Sequence, residues 1–328
     1  MMKDFIIQRV AFVPMRVLRS IPELADVPGP VFLAIGVFDG VHRGHQAVIG
    51  TAVRHAEEAG GTAVVVTFNP HPAKILRPQE SPRLLTATQH KIALIRELGV
   101  SHLLVLKFDR AFASTPPDEF VRQLAAAAKP LREICVGAEW SFGRNRAGNL
   151  RLLKKLGTEL GFNVVGVEPI MSDGEVVSST AIRQAVEAGD FASATRMLGR
   201  DYTILGTVEQ GKRLGRTLGF PTANLSAHSE QFPPDGVYVA EGLLNGELVR
   251  GVVNLGMRPT AESEAPQRVL EFHLFDLSRD LYGEDIELRF LEYLRPERKF
   301  ENLPALRDQI TRDVAEAHRI FEADSSRH

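Results

Sequence analysis

The sequence predicts an α/β chain of two domains: a parallel sheet covered by helices on both faces, then a small antiparallel barrel or sandwich closed by one helix. Continuous apolar runs alternate with helical patterns up to about Gly199, which is how a doubly covered parallel sheet reads. Beyond Gly199 helical periodicity gives way to short strands and turns. At 328 residues and 44% hydrophobic content, the chain has enough length and apolar mass for two cores.

The elements follow in order. Val31-Phe32-Leu33-Ala34-Ile35 reads as a strand, and Gln46-Ala47-Val48-Ile49 as the start of a helix, with a glycine-rich turn between them. Thr62 to Phe68 is a buried strand; Gln89 to Leu98 is a helix stopped by Gly99. His102 to Leu106 is the next strand, and Thr115-Pro116-Pro117 opens a helix that runs toward Ala128. Ile134-Cys135-Val136 is a strand, Leu150, Leu153, Leu156 and Leu160 share one helical face ended by Gly161, and Asn163 to Val167 closes the series. In the second part, Gly236 to Leu244 and Glu247 to Val253 flank Asn245-Gly246, a strong hairpin signal. Leu270 to Phe275 and Ile286 to Leu294 are further strands. Leu306, Ile310, Val314 and Ala317 form the stripe of a last helix over about Pro304 to Phe321, and the tail from Asp324 to His328 is expected to fray. The expected domains are residues 1–198 and 199–328.

Composition excludes several classes. A net charge of −2 gives no basic excess for nucleic acid. Cys135 is the one cysteine, so there is no intrachain disulfide and no thiolate cluster, and its apolar neighbours suggest a buried, inert thiol. No secretory leader pattern and no run long enough to span a bilayer is present, so a cytoplasmic location and no membrane partner are expected.

The most informative string is Gly36-Val37-Phe38-Asp39-Gly40-Val41-His42-Arg43-Gly44-His45. Between a strand and a helix, it places two imidazoles where unpaired backbone N–H groups and the helix dipole favour an anion. That suits phosphoryl or nucleotidyl chemistry better than dinucleotide docking. Asn69, in Thr67-Phe68-Asn69-Pro70-His71-Pro72, ends a strand of the same sheet, where ligands collect. Val136 to Gly148 follows another strand and sets aromatic and basic groups among glycines. In Val177-Ser178-Ser179-Thr180-Ala181-Ile182-Arg183, hydroxyls at a helix start can cap it or meet phosphate oxygens, and Arg183 shares a side with Thr180. In the second part, Pro221 biases Phe220 toward an extended backbone; if the chain stays extended through Thr222-Ala223-Asn224, Thr222 and Asn224 point the same way, and their oxygens suit Mg²⁺. Glu271 alternates with the core residues Leu270 and Phe272, and shares its face with His273; its carboxylate is the candidate general base. Arg295 either meets a phosphate or pairs with Glu297.

These strings resemble, in order, the motifs of the bacterial bifunctional riboflavin kinase/FAD synthetases. The His-x-Gly-His turn is similar to that of the nucleotidylyltransferases, and Gly206 to Leu225 resembles the riboflavin kinase signature. The resemblance spans about Val17 to Phe321 and implies a Rossmann-like nucleotidylyltransferase domain followed by a riboflavin kinase barrel. It implies phosphorylation of riboflavin to FMN and adenylylation of FMN to FAD, with ATP as co-substrate and Mg²⁺ as cofactor. His42 and His45 would contact the reacting phosphates, with Gly36, Phe38, Asp39, Gly40 and Asn69 around the nucleotide. Ser179, Thr180 and Arg183 would hold the pyrophosphate. Gly211, Lys212, Gly215 and Arg216 would cover the phosphates of the kinase site, beside Thr222 and Asn224, and Arg295 would help enclose the flavin. Glu139-Trp140 and Ala261 depart from the family pattern. A chain with only the kinase active, or a non-catalytic flavin binder, remain the alternatives at this point.

Overall fold

A computed structural model describes residues 14–210, 220–229, 231–258, 267–277 and 279–325. Among them the chain divides into two compact units, residues 1–182 with 196–199, and residues 183–195 with 200–328.

The first unit holds a six-stranded sheet in the order β1-β4-β3-β2-β5-β6, every neighbour parallel. The strands are β1 (Arg16–Leu18), β2 (Val31–Ile35), β3 (Thr62–Asn69), β4 (His102–Lys107), β5 (Leu131–Gly137) and β6 (Asn163–Val167). Strand alternation explains the two cores. Leu33, Ile35, Val64, Val66, Leu104, Leu106, Ile134 and Val136 pack on one face, and Ala34, Val65, Leu103, Val105 and Cys135 on the other. Helix α1 (Arg43–Glu58) and α3 (Thr88–Glu97) cover the second face; α5 (Pro117–Ala127) and α6 (Leu150–Leu160) cover the first. Short helices α2 (Pro72–Leu76) and α4 (Arg110–Ala113) lie in the connections, and a small hairpin of β7 (Met171–Ser172) and β8 (Glu175–Val176) precedes α7 (Ser179–Glu187) and α8 (Phe191–Leu198).

The connection order places the chemistry. After β2 the chain builds β3 and β4 on one side, then crosses to β5 on the other, so the carboxyl end of β2 lies at the point where strand order reverses. Ligands of open parallel sheets bind at such a crevice, and the histidine turn begins there. Cys135 is fully buried; burial and the neighbouring Glu133 carboxylate push its thiol far up, and its Sγ donates to Glu133 Oε1 at 3.3 Å.

The second unit is a closed antiparallel barrel, β10-β13-β12-β11-β14-β9. Its strands are β9 (Thr203–Glu209), β10 (Ala223–Ala227), β11 (Gly236–Leu244), β12 (Glu247–Arg258), β13 (Gln267–Leu274) and β14 (Asp285–Arg295), with α9 (Leu303–Ser325) packed on β12. Asn245 and Gly246 take φ of +51° and +84°, as a tight hairpin turn requires. Paired residues Tyr238, Val253 and Phe272 are at most 1% exposed and fill the interior. Val237, Val239 and Val252 point outward and pack beneath Ala317 and Phe321 of α9.

One buried ionic row braces the barrel. Arg289 donates to Asp201 Oδ2 at 2.5 Å and to the Glu241 carboxylate, which also accepts from Arg250 Nε at 3.1 Å. Glu241 is 4% exposed, so removing Arg289 leaves a carboxylate short of compensation. Arg289→Met is expected to cost the barrel about 3–5 kcal/mol. The thermal unfolding midpoint of the barrel checks this: an unmoved midpoint counts against the brace.

The sequence expectations for the strands of both units hold to within a few residues, and Gly206 to Glu209, the first residues of the signature-like stretch, belong to β9. The short β1, the β7–β8 hairpin and α8 carry no periodic signal long enough to find.

Candidate active sites

The first site grows from the turn after β2. Phe38, Gly40 and Val41 adopt φ of +53°, +83° and +42°, a run of left-handed residues that surrounding contacts must hold. The Phe38 ring folds back over Gly36, where a Cβ would lie 2.7 Å from it, and is 1% exposed. The buried Asp39 carboxylate accepts from Leu85 N at 3.2 Å, Thr86 N at 3.0 Å and Thr86 Oγ1 at 3.3 Å, while Gly40 N donates to Thr86 Oγ1 at 3.0 Å. Phe38 and Asp39, expected around the nucleotide, thus have side chains that fix the turn from within.

The two histidines meet. His42 caps α1, its Nδ1 accepting from His45 N at 3.4 Å, and the two rings stack with centroids 3.5 Å apart and planes 20° apart. Phe38 abuts His45 edge-on at 5.3 Å. A Cβ at Gly44 would stand 3.2 Å from the His42 ring, so glycine is what permits this approach. Gln46 Nε2 secures the turn to the carbonyls of Val41 at 2.8 Å and Leu198 at 2.7 Å. Ser179 Oγ donates to Asp39 O at 2.9 Å, bringing the start of α7 to the turn. Ser178 caps α7, accepting from Ala181 N at 3.2 Å, which leaves Ser179 for the turn and Thr180 exposed beside it; Arg183 follows one turn later, half-buried.

Asn69 stands exposed at the end of β3, its Oδ1 accepting from Thr88 Oγ1 at 2.9 Å. Beside it a cavity of about 70 Å³ is lined by Asp39, Asn69, His71, Lys74, Thr86 and Lys91 among others. In the segment after β5, Trp140 stacks on Phe142 with centroids 4.4 Å apart and packs against the core. Lys91 belongs to no motif of the sequence; its one local signal is a lysine on the same helical stripe as the buried Leu94 and Ile95.

The second site lies on the outer face of the barrel. Glu271 is flanked in register by Asn224 of β10 and Asn254 of β12, and Asn254 faces Val237, which packs beneath α9. Directly paired residues share a face, so a carboxylate and two carboxamides form one polar row beside α9. Asn254 Nδ2 donates to Glu297 Oε1 at 3.3 Å. Thr222 precedes β10, half-buried. His273 Nδ1 donates to Pro221 O at 2.8 Å, and Phe220 meets its ring edge-on at 5.3 Å. Burial holds the His273 pKa below the usual histidine range, with the His318 charge adding to this and the Pro221 bond opposing it. Arg295 is not paired with Glu297. Its Nε meets both oxygens of Asp313 at 3.0 Å and its Nη2 meets Oδ2 at 2.7 Å, because α9 presents that buried carboxylate to it. Gly211, Lys212, Gly215, Arg216 and Ala261 lie outside the described residues.

Two units of this kind, in this order, have a counterpart among known proteins. The FAD synthetase family model matches residues 25–181, and the riboflavin kinase model matches residues 198–321. A bifunctional riboflavin kinase/FMN adenylyltransferase of Escherichia coli (strain K12) is 36% identical over 309 residues, covering 94% of this chain and 98% of that one. The chain belongs to this bifunctional family. The protein of the same description from Bacillus subtilis (strain 168) is 38% identical over 293 residues, 88% of this chain and 92% of that one. A solved Streptococcus pneumoniae chain, titled a macrolide-efflux protein, superposes with a TM-score of 0.74 at 28% identity, covering 91% of this chain and 97% of its own. Family and fold are those the motifs implied. Among the described residues, no helix is long and apolar enough to cross a membrane.

Proposed function

We propose that the riboflavin kinase/FMN adenylyltransferase activity of the family is divided between two ATP-cleaving centres, one at the parallel sheet and one at the barrel. At the first, the FMN phosphate attacks the α-phosphorus of ATP, forming FAD and expelling pyrophosphate. His42 and His45 donate to oxygens of the reacting phosphates, and the start of α1 adds its N–H groups and dipole. Ser179, Thr180 and Arg183 hold the leaving pyrophosphate, and Asn69 borders the nucleotide. The stacked histidine pair at the switch point of the sheet is the observation that carries this assignment.

At the second centre, Glu271 accepts the proton of the riboflavin primary hydroxyl as that oxygen attacks the γ-phosphorus of ATP, forming FMN and ADP. Asn224, in register with Glu271, and Thr222, two residues before it, offer hard oxygen donors, a set that fits Mg²⁺. When bound, that ion neutralises phosphate charge. His273 anchors the Pro221–Asn224 segment to β13. His273→Phe deletes one hydrogen bond, worth about 1 kcal/mol net, and is expected to raise the KM for ATP in the kinase reaction about five-fold. An unchanged KM would detach this histidine from the site.

Chromatography of the products from riboflavin, ATP and Mg²⁺ tests the whole assignment. FMN and FAD should both form, with ADP and pyrophosphate released. FMN without FAD would leave the kinase alone standing; bound flavin without turnover would leave neither.

A further inference from the structure

A lysine in the wall of the first site has no place in the chemistry above. Lys91 lies on α3 and is 5% exposed. Its Nζ donates to Val37 O at 2.9 Å and to Thr67 Oγ1 at 3.2 Å, and Thr67 Oγ1 in turn donates to Val37 O at 3.0 Å. Val37 is the second residue of the turn; Thr67 lies near the carboxyl end of β3. One ammonium therefore ties the turn after β2 to the neighbouring strand, and it lines the same cavity as Asp39 and Asn69.

The backbone it holds is the part that needs holding. Left-handed φ values begin at Phe38, directly after the bonded carbonyl. Phe38 in turn sets His45 through an edge-on ring contact. Asp39 fastens the next residue position to the Leu85–Thr86 segment, which precedes α3. Lys91 and Asp39 thus clamp the turn from both sides of α3's start, and their opposite charges attract. Burying an ammonium is costly unless it is paired and hydrogen-bonded. A purely apolar stripe on α3 would have served packing alone.

We propose that Lys91 is a positioning residue of the adenylyl-transfer site, its ammonium holding the Gly36–His45 turn in the shape that presents His42 and His45 to the nucleotide. This rests on the assignment of adenylyl transfer to the first unit. Charge-assisted bonds are roughly twice as strong as neutral ones, so the hold depends on the lysine carrying its proton. Burial lowers the Lys91 pKa to about 8, with Asp39 opposing the shift. The titratable groups that share its cavity are Asp39, His71 and Lys74, and His90 precedes it on α3.

The test uses the full chain and Lys91→Met, which keeps the length of the side chain and removes the charge. Because the buried ammonium costs desolvation, the variant is expected to fold, and Val37 O keeps its bond from Thr67. FAD formation from supplied FMN should lose about a hundred-fold in kcat, the scale of a small misplacement of reacting groups. FMN formation by the same molecules should be unchanged. In the wild-type chain, kcat for FAD formation should fall above about pH 8, and K91M should lack that limb. Retained kcat in K91M, or a wild-type profile flat up to the ordinary lysine range, overturns the proposal; the second measurement decides even if the variant fails to fold. A wild-type chain that makes no FAD at all would overturn the assignment of the site itself, a result distinguishable from either.

Discussion

Glu271→Ala should abolish formation of FMN from riboflavin while FAD formation from supplied FMN continues. Glu271 stands at the centre of the polar row, between Asn224 and Asn254, so no second carboxylate sits in register to replace it on either adjoining strand. General base catalysis contributes about 10²–10⁴-fold, and a loss of that size in kcat is expected. The KM for ATP should move little, since the carboxylate acts on the acceptor hydroxyl and Thr222 and Asn224 remain. Glu271→Gln, which preserves shape but removes the basic carboxylate, should be nearly as inactive. Parallel loss of both reactions would argue against two separate centres, and retention of FMN formation would remove Glu271 from the chemistry.

His45→Ala is expected to give the mirror result, with riboflavin converted to FMN and FMN accumulating. Removing one preorganised donor to a developing charge costs about 10²–10³-fold in kcat. Here the effect has a second source. His45 stacks on His42 and receives the edge of Phe38, so its loss also frees the His42 ring. His42→Ala additionally removes the cap of α1 and should lower the stability of the first unit by about 1 kcal/mol, which His45→Ala should not. Time courses of riboflavin, FMN and FAD read both outcomes. Undiminished FAD formation in His45→Ala would exclude the stacked pair from the reaction.

The main residues of both proposed sites are legible as local strings. Gly-x-x-Asp-Gly-x-His-x-Gly-His is compact because a strand must turn into a helix within a few residues, and every position there answers a local demand. Pro221 to Asn224 and the alternation around Glu271 are equally local. Roles that depend on partners distant in sequence were not legible. Asp39 and Phe38 read as nucleotide contacts because they sit in the turn, yet Thr86 and the fold of the Phe38 ring draw them inward. Arg295 read as a flavin or Glu297 partner because Asp313 lies far along the chain on α9. Lys91 carried no motif weight, since its meaning comes from the Val37 carbonyl.

By itself, the order of apolar runs, turns and motifs determined that this chain makes a covered parallel sheet followed by an antiparallel barrel, and which family it joins, because periodicity and turn chemistry act within a few residues. Only the tertiary structure decided which strand stands at the switch point, which carboxylates are bound internally, and which side chains share one face across strands. Those depend on pairing between residues far apart in sequence, and no local pattern encodes the partner.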